Sequence, residues 1–160
     1  MQPLALIAAH DLNRVIGKDN DLPWSYKDYP EDMKNFVRLT KGHTVIMGRK
    51  TCESFERGPL PKRRNIVISR SGFEREGFEV FSNLQEAIAA AYESDECPFI
   101  IGGGKIYELA LPLITKMYLT EIQIESEGDT FFPEYDTSEW KETERNKDHE
   151  DLVIKTLERK

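Results

Sequence analysis

The residues best equipped for chemistry sit at four places in this 160-residue chain. Asp32 follows a Pro23-Trp24 turn and borders an apolar helical face. At 100° per residue, Met33, Phe36, Val37 and Thr40 share roughly 100° of arc, and Asp32 lies about 40° beyond Phe36. A carboxylate so placed faces a cleft, where burial raises its pKa and limits its partners to a cation, an amidine-like donor or a proton in transit. An acid in a helix's first turn can also serve only to complement the macrodipole. Three strand-to-helix junctions supply glycines and bases. In Val45-Ile46-Met47-Gly48-Arg49-Lys50-Thr51, a strand runs into a helix whose free N–H groups, Thr51 hydroxyl and two cations suit phosphate, although such cations can also form a solvated face. Ser69-Arg70 sets a hydroxyl beside a guanidinium, a pair suited to a phosphate monoester. In Ile100-Ile101-Gly102-Gly103-Gly104-Lys105, three glycines let backbone approach a ligand closely, or simply make a tight turn against a helix. The run is neither a Walker A loop, since its first glycine would fall on Phe99, nor GxGxxG, since the last would fall on Tyr107.

The elements that must position these residues are legible as alternating apolar runs and punctuation. Leu4 to Ala9, Thr44 to Met47, Asn65 to Ser69, Phe78 to Phe81, Pro98 to Ile101 and Lys116 to Ile124 read as strands, several apolar throughout, as in a largely parallel sheet covered on both faces. Helices are predicted over Pro30 to Leu39, Arg49 to Phe55, Asn83 to Tyr92 behind a Ser82-x-x-Gln85 capping box, and Lys105 to Leu111 before Pro112. Trp140 to Arg145 and Asp151 to Leu157 read as a closing antiparallel hairpin. The expectation is an α/β fold: a single domain over residues 1–160 with a mixed, mostly parallel eight-stranded sheet and about four flanking helices. Ligands of such a sheet bind at the carboxyl ends of its strands, where the three junctions converge.

A net charge of −7 argues against nucleic-acid binding. Within it, residues 49–70 carry Arg49, Lys50, Arg57, Lys62, Arg63, Arg64 and Arg70 against only Glu53 and Glu56, a basic middle suited to a small polyanion. Lys62-Arg63-Arg64 could instead be a solvated loop or a nuclear address. Cys52 and Cys97 stand in no metal-ligand or redox spacing, the N-terminus does not read as a signal peptide, and no run approaches the ~18 apolar residues of a membrane span. These features predict a cytoplasmic protein with reduced thiols, no metal and no membrane partner, and a monomer as the default for one compact domain.

Taken in order, Arg14-Val15-Ile16-Gly17, Leu22-Pro23-Trp24, Val45 to Thr51, Pro59-Leu60-Pro61 with Arg63 and Asn65, Ile101 to Gly104, Tyr118-Leu119-Thr120, and Glu127-Gly128-Asp129-Thr130 with Phe132-Pro133 span nearly the whole chain. This series resembles the dihydrofolate reductase family of bacterial type. The resemblance implies NADPH-dependent reduction of dihydrofolate to tetrahydrofolate, with hydride passing to C6 and a proton to N5. It makes Asp32, Leu22 and Thr120 the catalytic group, with Asp32 binding the pterin's 2-amino and N3 edge. Ile7, Met33, Phe36, Phe55, Leu60, Ile101 and Tyr107 would surround the substrate, and Arg63 would clamp its glutamate α-carboxylate, with Arg64 a nearby decoy. On the cofactor side it implies backbone groups of Ala9 and Ile16 at the carboxamide, and Lys50, Thr51, Gly103 and Gly104 at the pyrophosphate. Arg49, Ser69 and Arg70 would hold the 2′-phosphate, and Gly48, Ile101, Lys105 and Ile106 would complete the lining. Residues 11–26 would form a lid.

The segment from Ser25 to Glu31 is a few residues longer than the family pattern, which makes Asp28 and Glu31 rivals to Asp32; helical phase favours Asp32. Gly58 also looks inserted. The competing functions are another reductase of the same fold, such as that of riboflavin synthesis, and a nucleotide-binding module without catalysis.

Overall fold

A computed structural model describes residues 1–17 and 23–160. Along the chain run β1 (Ala5–His10), β2 (Val15–Gly17), α1 (Pro30–Thr40), β3 (Thr44–Gly48), α2 (Arg49–Ser54), β4 (Arg64–Ile68), β5 (Glu79–Phe81), α3 (Leu84–Tyr92), β6 (Phe99–Gly102), α4 (Gly104–Ala110), β7 (Lys116–Ile122), β8 (Thr130–Phe131), β9 (Trp140–Asn146) and β10 (Leu152–Arg159). Eight strands form one sheet in the order β5-β4-β3-β6-β1-β7-β10-β9. Pairing is parallel from β5 to β7, and β10 then runs antiparallel to both β7 and β9.

Strand alternation divides the core. Leu4, Leu6, Ala8, Ile46, Ile66 and Ile100 point to one face and pack with Leu84, Ala87 and Ala91 of α3 and Ile106 and Ala110 of α4. Ala5, Ile7, Val45, Met47, Val67, Phe99 and Ile101 point to the other, against Cys52 of α2 and Phe36 and Leu39 of α1. Both faces of the central strands are thus buried, which is why these strands read as continuous apolar runs.

The site's position follows from this topology. β1 leads through α1 to β3, crossing one face of the sheet, whereas β6 leads through α4 to β7, crossing the other. The neighbouring strands β1 and β6 therefore open a crevice at their carboxyl ends. Their aligned pairs are Ala5 with Phe99 and Leu6 with Ile100.

Two local details differ from the sequence reading. The cap of α3 is Asn83, whose Oδ1 accepts the Glu86 N–H at 2.9 Å, while the Ser82 hydroxyl reaches the Glu86 carboxylate; the capping residue lies one position later than predicted. A separate antiparallel ribbon of β2 and β8 also forms, too short to leave a periodic signal. Asp11 anchors its approach: this buried carboxylate accepts the N–H groups of Asn13 and Val15 at 2.9 Å and of Ser126 at 2.6 Å. No helix among the described residues is long and apolar enough to cross a membrane.

Candidate active site

Asp32 lies in the first turn of α1, where its N–H bonds to the Tyr29 carbonyl at 3.1 Å. Removal from water pushes its carboxyl above the usual carboxylate range, and a hydrogen bond from the Thr120 side chain works the other way. Thr120 is buried in β7, aligned between Ala9 of β1 and Ile154 of β10. The rival acids separate cleanly. Glu31 pairs with Lys34 at 3.7 Å, and Asp28 is exposed in a single 3-10 turn, Tyr26–Asp28.

Tyr107 ties β1 to β6. Its buried hydroxyl lies 2.8 Å from the Ile7 carbonyl and 2.9 Å from the Ile101 carbonyl, so one O–H hydrogen is shared between β1 and β6. Burial first, and the Asp32 charge second, push its pKa far up, so the phenol stays neutral. Gly102, at φ +124°, leaves room for this ring: a Cβ there would lie 3.1 Å from the Tyr107 oxygen.

The face of α1 beside Asp32 is apolar but not uniformly buried. Phe36 packs into the core with Phe55 and Leu60, whereas Met33 and Val37 are 41% and 44% exposed. The buried side of the helix is shifted toward Asn35 and Thr40, leaving Met33 and Val37 at the rim. Opposite, buried Asn65 clips the 60s turn by bonding the backbone N–H and carbonyl of Leu60 and the carbonyl of Arg63. Arg63 is held by neutral oxygens: Nε donates to Thr40 Oγ1 (3.1 Å), one terminal nitrogen to the Pro61 carbonyl (2.6 Å) and the other to the Val37 carbonyl (3.0 Å). Partial burial pulls its pKa down, yet an arginine remains charged. No carboxylate among the described residues pairs with it, and two of its five N–H donors stay free. Arg64 is spent elsewhere, forking onto Glu79 at 2.6 and 2.8 Å and donating to the Ala90 carbonyl.

The glycine turn meets the start of α2 across the paired strands β3 and β6. A Cβ on Gly104 would lie 2.7 Å from the Thr130 methyl, one on Gly48 would lie 3.1 Å from Ile106, and one on Gly103 would meet only Thr51 Oγ1, at 3.6 Å. Gly104 is thus required by packing and Gly48 sits tightly against Ile106, while Gly103 presents open backbone. The Arg49 guanidinium donates to Ser71 Oγ at 2.7 Å, and Ser71 stands 3.2 Å from Ser69 Oγ. Lys50, Arg70 and Lys105 are exposed, and Ile16 is half-buried near Gly104.

The structure thus holds a desolvated carboxylate beside a threonine hydroxyl, and an open glycine turn beside the base-bearing start of α2. The sequence model of the dihydrofolate reductase family matches residues 3–157. The chain belongs to the dihydrofolate reductase family. It is 46% identical over 139 residues to the dihydrofolate reductase of Bacillus subtilis, covering 86% of this chain and 80% of that one. It is 48% identical over 136 residues to that of Haemophilus influenzae, covering 85% and 82%. Among solved structures, a dihydrofolate reductase from Enterococcus faecalis complexed with NADP(H) and an inhibitor superposes with a TM-score of 0.88 at 33% identity, covering 99% of this chain and 96% of that one.

Within this dihydrofolate reductase, Leu22 lies outside the described residues, as does the centre of the expected lid. Three side chains that neighbour the named residues went unmentioned in the sequence reading. Ser71 and Phe73 flank Arg49 from a loop with no motif. His10 is buried next to Ala9, stacked on Phe132 at 5.6 Å with Nδ1 2.8 Å from the Asp11 carbonyl; desolvation lowers its pKa. Only the apolar run ending at His10 hinted that this ring would be covered.

Proposed function

We propose that this chain, acting as one domain, reduces 7,8-dihydrofolate to 5,6,7,8-tetrahydrofolate with NADPH. The observation that carries the reading is the desolvated Asp32 carboxylate beside the Thr120 hydroxyl, at the mouth of the crevice between β1 and β6. A carboxylate in such a place accepts paired hydrogen bonds from a flat amidine-like edge, here the pterin's 2-amino and N3 groups, and favours the protonated ring. Thr120 fixes its orientation. Ile7, Phe36, Phe55, Leu60 and Ile101 wall the ring system, Met33 covers its outer side, and Tyr107 supports it from beneath. Arg63, already oriented by three neutral oxygens, turns its two free donors to the glutamate α-carboxylate.

When bound, NADPH supplies the hydride for C6. The residues at its end of the crevice suit it. Gly103 offers open backbone, with Lys50 and Thr51 alongside, for the pyrophosphate; Gly104, Gly48, Lys105, Ile106 and Ile101 shape the floor; Arg49, Ser69 and Arg70 take the 2′-phosphate; Ala9 and Ile16 present backbone groups to the carboxamide. The proton for N5 comes through water admitted near Leu22 and Asp32.

The test follows NADPH absorbance with dihydrofolate for the wild type and for Asp32→Asn. We expect turnover to fall by at least about 10²-fold, the size of a general acid–base contribution, with NADPH still bound in a fluorescence titration. Equal rates in the two proteins would remove Asp32 from the mechanism, and no rate in either would remove the enzyme assignment.

A further inference from the structure

Arg49 is held from three sides by residues that the reading above does not use. One terminal nitrogen donates to Ser71 Oγ at 2.7 Å. Nε lies 3.5 Å from the Glu53 carboxylate, one turn further along α2. The guanidinium carbon stands 4.8 Å from the centroid of the Phe73 ring. That ring is itself anchored, since Phe73 packs against the cluster containing Val67 and Phe78. The remaining terminal nitrogen of Arg49 has no partner among the described residues and is free to donate to an anion.

An unrestrained surface arginine must give up rotamer freedom to grip a phosphate, and that loss is subtracted from affinity. Stacking on an anchored ring removes much of this freedom beforehand. Glu53 adds a second constraint. Its side chain and that of Arg49 are both about half exposed, so their ion pair is weak and readily exchanged for a doubly charged phosphate.

We propose that Phe73 is a positioning residue for cofactor choice: by holding the Arg49 guanidinium in place, it favours a dinucleotide bearing a 2′-phosphate over one without it, and Glu53 is the carboxylate that the phosphate displaces. The inference rests on Arg49 being the 2′-phosphate reader. Nothing about Phe73 requires that it touch the cofactor.

The experiment is a calorimetric titration of NADP+ and NAD+ into the wild type, Arg49→Leu, Phe73→Leu, Phe73→Tyr and the Arg49→Leu/Phe73→Leu double variant. Phe73→Leu is expected to weaken NADP+ by about three- to fivefold, the size of an exposed cation–π contact, and to leave NAD+ unchanged. Phe73→Tyr keeps the ring face and should bind both as the wild type does. The double variant should be no worse than Arg49→Leu alone, because the ring acts only through the arginine. Equal weakening of both dinucleotides by Phe73→Leu, no weakening of either, or full additivity in the double variant would each overturn the proposal. If Arg49→Leu itself weakens NADP+ and NAD+ alike, the assignment of Arg49 to the phosphate fails, a result distinct from any loss seen at Phe73.

Discussion

A carboxyl whose pKa is raised by burial binds its proton more tightly in the folded chain than in the unfolded one. Stability therefore declines as pH rises through the interval between the two values, and at neutral pH the charged Asp32 is a cost that folding bears for the sake of the site. Asp32→Asn should consequently melt at a higher temperature than the wild type at pH 7, with the gap narrowing as pH falls through the interval between the raised value and that of an ordinary carboxyl; each kcal/mol corresponds to roughly 2–4 °C at this chain length. Thermal unfolding across pH 4 to about pH 8 checks the sign, and a gap independent of pH would contradict it. At this scale the sequence was informative where helical phase decided, as for Asp32 against Glu31. It was silent about Ser71 and Phe73, whose relation to Arg49 exists only after β4 and the loop behind it are laid beside α2.

The elements give neighbouring arginines opposite work. Arg63 and Arg64 adjoin in sequence at the start of β4, where successive side chains leave on opposite faces. One turns toward α1 and is held by uncharged oxygens with donors to spare; the other pins β4 to β5 through Glu79 and to the last turn of α3 through the Ala90 carbonyl. Arg63→Leu should raise the dihydrofolate KM by about 10- to 100-fold, the worth of a charged hydrogen-bonded pair, and leave the NADPH KM alone. Arg64→Met should do the reverse, costing about 1–3 kcal/mol of unfolding free energy without moving either KM. Steady-state kinetics and urea denaturation of the two variants separate the roles, and a common phenotype would refute the division. The strand runs were readable because two-sided burial makes them apolar throughout. The ribbon of β2 and β8 was not, because it is fixed by Asp11 and backbone pairing instead of by a hydrophobic pattern.

For the molecule as a whole, both edges of the main sheet discourage pairing with a second chain. β5 has only 3 residues, and β9 is exposed from Lys141 to Asn146 and carries Lys141, Glu142, Glu144 and Arg145. Light scattering after gel filtration should therefore return the 18.5 kDa of one chain, and twice that mass would show that some other surface associates. The uneven charge of the sequence divides at this scale: Arg49 and Arg63 of the basic middle keep donors to spare and Arg70 is exposed, while Arg64 is consumed as a structural tie.

The phenol that joins the Ile7 and Ile101 carbonyls also feels the charge on Asp32. An aromatic chromophore fixed beside a group that gains or loses charge has its absorption band displaced electrically. Tyr107 is thus a natural optical probe of the neighbouring acid. A near-ultraviolet difference spectrum taken against Tyr107→Phe would follow the protonation of Asp32 in the resting protein, with no label and no turnover.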